Sequence, residues 1–81
     1  MDQNTTLFNP QKEESKRVRE IMDEVVLALK DKGYEPVSQI IGYILSGDPT
    51  YITSHENARA LICKIERDDL LQEMIKKYLD L

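Results

Sequence analysis

The stretch PVSQIIGYILSGDPTYI, residues 36–52, runs from an apolar block straight into a cluster of turn residues. Val37, Ile40, Ile41, Ile44 and Leu45 recur at intervals of three and four, which predicts a short helix over residues 36–46 with one strongly apolar face. Pro36 suits its first turn, where the missing N–H would go unpaired anyway, and Glu35 before it is pushed out of helical angles. Gly47 ends the helix, because a glycine adopts the left-handed closing conformation without strain, and Asp48-Pro49 is a turn signal. Gly42, inside the helix, costs about 1 kcal/mol relative to alanine. A glycine kept there marks close approach of another backbone, of this chain or of a second copy.

The same corner holds Tyr43, Asp48 and Tyr51, which raises the question of a small catalytic or ligand-binding cluster. Acid–base chemistry needs a partner that tunes a pKa, and the stretch offers no basic residue, histidine or second carboxylate. The expectation is therefore architectural. The two tyrosines pack their rings in a core poor in other aromatics, and Asp48 caps the turn. A small-molecule binder or enzyme built on this corner is the alternative.

Outward from the corner the chain is helical in both directions. Val18, Ile21, Met22, Val25, Val26 and Leu29 form an amphipathic stripe that stops at Gly33, and the helix could begin as early as Asn9-Pro10. On the other side, Thr53 and Glu56 have capping-box spacing, with Ser54 as an alternative cap, so a third helix is expected from residue 54 or 55. Its stripe is Ala58, Leu61, Ile62 and Ile65. The next stripe, Leu70, Leu71, Met74, Ile75, Tyr78 and Leu79, begins after a five-residue step, which turns the face by about 140° at 100° per residue. A break near residues 67–69 follows, with Asp68 as the N-cap.

The expected fold is all-α, a compact bundle of four to five short helices. Residues 1–14 read as a flexible tail and residues 15–81 as a single helical domain. With 81 residues, no Trp and one Phe, a monomer has little core to divide, and pairing is a natural way to gain burial. Ile40, Ile41, Tyr43, Ile44, Leu45 and Tyr51 form the expected core or dimer set, with the seam left open.

Charge excludes some functions. A formal net charge of -4 argues against nucleic acid, whose binders carry basic fields. No apolar run approaches the 18 residues that span a bilayer, so no membrane insertion is expected. The polar start is unlike a secretion signal, and a single cysteine suits a reducing compartment, so the expected localisation is cytoplasmic.

Other constellations are weak. His55 and Cys63 would sit about 12 Å apart along one helix, too far to share a metal or a proton, and Gly42 and Gly47 lack the phosphate-loop frame. No catalytic residue, metal or cofactor is expected. His55, Arg59, Cys63 and Arg67 are spaced by four on the expected third helix, with Lys64 beside them. This is either a solvated face balanced by Glu56, Glu66 and Asp68, which spacing alone favours, or a stripe offering guanidinium groups to a partner. Thr5 and Thr6 lie in a segment that a kinase can reach, and a phosphate there would add about -1.5 to -2 charge near a helix start.

DKGYEPVSQIIGYILSGDPTYI (residues 31–52) and NARALICKIERDDLLQEMIKKYL (residues 57–79) resemble the IreB family of small cytosolic proteins of Gram-positive Firmicutes. The resemblance implies a non-enzymatic, all-helical homodimer, phosphorylated on an N-terminal threonine by a membrane Ser/Thr protein kinase with extracellular PASTA domains. It implies regulation of the cell envelope and of cephalosporin resistance, in one branch through Clp-dependent degradation of the enolpyruvyl transferase of peptidoglycan synthesis. The frame Thr-x-x-Phe-Asn puts the phosphoacceptor on Thr5, completed by Phe8 and Asn9, with Thr6 second. The family's basic docking positions fall on Arg59 and Arg67, with Lys64 adjacent. The chain departs from the family at Thr53-Ser54, where relatives carry Pro-Arg, and at Cys63, where many carry Arg.

Overall fold

The three-four periodicity becomes four helices: α1 (Pro10–Asp31), α2 (Pro36–Ser46), α3 (Ala58–Ile62) and α4 (Arg67–Leu79), with 3-10 turns at Pro49–Tyr51 and His55–Asn57. This architecture is seen in a computed structural model that describes residues 10–81, and no strand occurs among the described residues. Thr5 and Thr6 lie outside the described residues.

α1 is the spine. It starts at Pro10, the earlier of the two starts that the sequence allowed, so residues 10–14 form helix where the sequence suggested tail. Val18, Ile21, Met22, Val25, Ala28 and Leu29 face inward and share one apolar cluster with Ile40, Tyr43, Ile52, Ala58, Ile62, Ile65 and Leu70. α1 ends as its spacing predicts, with Gly33 at φ +82° and the Tyr34 N–H returning to the Leu29 carbonyl at 2.9 Å.

α2 is capped at both ends by residues next to it. Glu35 lies in the extended region, and its carboxylate accepts from the Ser38 N–H at 2.8 Å and the Ser38 hydroxyl at 3.0 Å. These bonds, the backbone one foremost, hold the Glu35 carboxyl below its ordinary value. Gly47 closes the other end at φ +76°, its N–H bonded to the Tyr43 carbonyl. Gly42 does admit a close neighbour, but a side chain rather than a backbone: a methyl group at this position would clash with one edge of the Tyr51 ring.

The third helix departs from expectation. Residues 55–57 form a 3-10 turn, with Glu56 at φ +50° and Asn57 at φ +66°, and α3 begins only at Ala58. Thr53 and Glu56 form no capping box. The Thr53 hydroxyl instead accepts from the His55 N–H at 3.2 Å. Asn tolerates left-handed angles better than most residues, which lets the chain turn here. A His55–Asp31 pair ties the turn to the end of α1.

The next break also falls earlier than predicted. Lys64 and Ile65 make i→i-3 bonds to Leu61 and Ile62, Glu66 is extended, and α4 starts at Arg67. Asp68 is therefore not the cap but a first-turn acid, where its charge suits the helix dipole. The early break has a packing reason: Ile65 and Leu70 are both buried, and a continuous helix would turn one of them outward.

Gly42→Ala gains helix propensity yet should lower stability by about 1–3 kcal/mol, because the new methyl overpacks against Tyr51. Urea unfolding checks the sign. In a Tyr51→Ala background the same substitution should become neutral or stabilising.

Candidate functional site

Arg59 and Arg67 belong to different helices, not to one continuous edge: Arg59 lies in α3 and Arg67 opens α4. Both nonetheless reach the corner after α2. Arg59 Nε donates to the Ile52 carbonyl at 2.8 Å, and Arg67 Nη1 donates to the Ile44 carbonyl at 2.8 Å. The two guanidinium groups thus bracket residues 44–52 from either end. A guanidinium carries five N–H donors in a fixed fork, so a single carbonyl contact orients each group and leaves other donors for a carboxylate or phosphate. Lys64 sits exposed in the α3–α4 link, where its main-chain carbonyl accepts from Arg17 Nη2 at 3.4 Å. The contacts that gather the two arginines do not include it.

The corner residues are engaged in holding the turn. Asp48 caps the Pro49–Tyr51 turn, accepting from the Thr50 hydroxyl at 2.7 Å and the Thr50 N–H at 3.0 Å. These bonds, the hydroxyl first, hold its carboxyl below the ordinary value, and the positive charge of Arg59 adds a smaller effect. Tyr43 is buried, and burial foremost, with Cys63 beside it, pushes its hydroxyl pKa up. Tyr51 covers Gly42 with its ring, while its carbonyl accepts from Gln39 Nε2 at 2.8 Å. His55 is paired with Asp31, and Cys63 is exposed at the end of α3. Among the described residues, no group of three or more His, Cys, Asp or Glu side chains could hold a metal ion.

The apolar set of the corner divides in two. Ile40 and Tyr43 are buried and Ile44 is partly buried, but Ile41, Leu45 and Tyr51 face out, Leu45 at 79% exposure. With Val37 at 62%, Ile41 and Leu45 form an i, i+4, i+8 row along a helix that carries no charged residue. α4 shows a second outward face of Leu71, Ile75, Tyr78 and Leu79. A groove of about 550 Å³ lies between α1 and α4, floored by Val18, Met22, Leu70 and Met74. A Ser15–Glu73 hydrogen bond crosses between the same two helices.

Sequence reasoning missed the partners of the arginines, the main-chain carbonyls of Ile44 and Ile52. A carbonyl has no sequence signature, so nothing in the spacing of Arg59 and Arg67 could have named them. Among the described residues, no helix is long and apolar enough to cross a membrane.

The depressed Asp48 carboxyl fixes the sign of a pH effect. A carboxylate whose folded pKa lies below its unfolded value contributes stability above the unfolded value and loses it as pH falls through the folded one. The Thr50 amide should therefore titrate below the ordinary aspartate range in a two-dimensional NMR series, and Asp48→Asn should abolish that step.

The family of IreB regulatory phosphoproteins matches the chain over residues 3–80. A UPF0297 protein of Lachnoclostridium phytofermentans is 56% identical over 77 residues, 95% of this chain and 88% of the relative. A UPF0297 protein of Acetivibrio thermocellus is 55% identical over 76 residues, 94% of this chain and 84% of the relative. A third, from Ruminiclostridium cellulolyticum, is 50% identical over 76 residues, 94% of this chain and 86% of the relative. Matched along nearly its whole length and identical to these relatives at half or more of the aligned positions, the chain belongs to the IreB family of regulatory phosphoproteins.

Proposed function

We propose that this protein is a non-enzymatic, cytoplasmic regulator that works through protein contacts and is switched by phosphorylation of its N-terminal segment. The phosphoacceptor is Thr5, with Thr6 the second choice, and the donor enzyme is a membrane Ser/Thr protein kinase of the PASTA type. The regulated process is cell-envelope synthesis, and with it cephalosporin resistance, through control of Clp-dependent proteolysis of the enolpyruvyl transferase. The family assignment as regulatory phosphoproteins and the Thr-x-x-Phe-Asn frame at residues 5–9 support this reading.

The observation that carries it is the pair of arginines held at the α2 corner by the Ile52 and Ile44 carbonyls. A guanidinium oriented in advance, as Arg59 is by the Ile52 carbonyl, loses less side-chain freedom on binding, and the fork geometry suits the carboxylates of an acidic partner surface. Lys64 adds charge near this edge. A phosphate in the N-terminal segment would act on the same contact, by competing for the guanidinium groups or by repelling the acidic partner.

The protein acts as a homodimer, with the uncharged α2 row of Val37, Ile41 and Leu45 at the seam. An exposed apolar row on so small a chain is costly to leave in water, and pairing removes it. Ile41→Asp combined with Leu45→Asp should convert the dimer to a monomer of unchanged helicity. Sedimentation checks this, and an unshifted mass would place the seam elsewhere.

Peptide mass spectrometry after incubation with the host's own kinase domain tests the switch. A single phosphate, lost in Thr5→Ala and kept in Thr6→Ala, is expected. An active kinase that leaves both threonines unmodified would remove phosphorylation at this segment from the mechanism.

A further inference from the structure

We infer that Arg67 is a latch shared between α2 and the docking edge: the guanidinium that an acidic partner peptide engages is the same group that closes the C-terminus of α2, so docking loosens the α2 corner. The inference rests on the proposed reading of Arg59 and Arg67 as a docking edge, and it adds how that edge is coupled to the rest of the fold.

In a helix that continued past Ser46, the Asp48 N–H would pair with the Ile44 carbonyl. The chain leaves the helix instead through Gly47 at φ +76°, and the Asp48 N–H turns to the Ser46 hydroxyl oxygen at 3.0 Å. That hydroxyl itself donates to the Gly42 carbonyl at 2.7 Å. The Gly47 N–H keeps the last main-chain bond of the helix, to Tyr43 at 2.7 Å. The Ile44 carbonyl receives its hydrogen bond from Arg67 Nη1. Arg67 therefore does for α2 what a following turn of helix would do.

Gly47 makes room for this arrangement. A side-chain carbon at residue 47 would stand 2.8 Å from the guanidinium carbon of Arg67 and 2.9 and 3.0 Å from its two terminal nitrogens. Gly47 thus serves twice, for its left-handed angle and as the seat of the guanidinium. Arg59 has a different role, since its bond to Ile52 lies beyond the turn and off α2. An anionic acceptor attracts a guanidinium more strongly than a neutral carbonyl does. A partner carboxylate therefore draws Arg67 away from Ile44 and leaves the last turn of α2 short of one cap. Leu45, the most exposed residue of the α2 row, sits in that turn.

The test is amide hydrogen exchange by NMR on the full chain, with a triglutamate peptide as the acidic probe. Arg67→Ala should speed exchange of the Gly47 amide about two- to tenfold, the range expected for one lost hydrogen bond, while the α1 amides of Val25 and Leu29 stay unchanged. Triglutamate should move the wild-type chain in the same direction and have no effect on exchange in Arg67→Ala. Arg67→Met, which keeps a long side chain but has no hydrogen-bond donor, serves if the alanine variant does not unfold cooperatively. An unchanged Gly47 rate in both variants overturns the cap. Peptide-induced shifts at the Arg67 side chain without faster Gly47 exchange overturn the coupling but leave the docking edge standing. No shift at either Arg59 or Arg67 overturns the docking reading and the coupling together, and the variant rates alone then decide the cap.

Discussion

Ile52 lies on a segment between helices, yet it is as fully withdrawn from water as Val25, Leu29, Ala58 and Ile62. Burying a side chain of this size contributes about 1.5–3 kcal/mol, a large fraction of what a chain this small has to spare. That one insertion constrains everything after α2. The chain must leave α2, turn sharply and drop Ile52 into the cluster against α1 before α3 can begin. Gly47, the Asp48–Thr50 cap and the ring of Tyr51 over Gly42 are the local means by which the turn is made.

The arginines follow from the same constraint. Once the corner has turned inward, the carbonyls of Ile44 and Ile52 stand at its two ends and take their hydrogen bonds from side chains. α3 and α4 each bring one arginine to them. The side chains proposed for docking therefore also hold the corner in place. The corner is architectural, as its lack of a pKa-tuning partner led one to expect, and its own carboxylate is occupied by Thr50.

The outer surface has a different balance. The three shorter helices packed on the α1 spine bury only one or two residues each, and the broad apolar faces of α2 and α4 exceed what that core can absorb. Val37, Ile41 and Leu45 on α2, and Leu71, Ile75 and Tyr78 on α4, stay in contact with solvent in the single chain. Apolar residues gathered in rows on a helix, rather than scattered singly, mark surfaces that gain by being covered.

The presence of four helices, the stops at Gly33 and Gly47, the Pro36 start and the phase change between Ile65 and Leu70 were all legible in the sequence, because they depend on backbone chemistry and on a period of 3.6 residues. Family membership was legible as well, carried by the long signature through the corner. Sequence could not show that Glu56 and Asn57 turn left-handed and shorten the third helix, since no glycine stands there and the turn is held through His55 to Asp31, far away in the chain. Nor could it separate Ile40 from Ile41 as buried and exposed, because both fit a broad apolar face. It placed Arg59 and Arg67 on one helix edge by counting fours, whereas the fold brings them together from two helices. Periodicity records which side of a helix is apolar, and it determined the elements. Which carbonyls lack a partner, and which side chain arrives to meet them, depends on how the elements pack, and only the tertiary structure decided that.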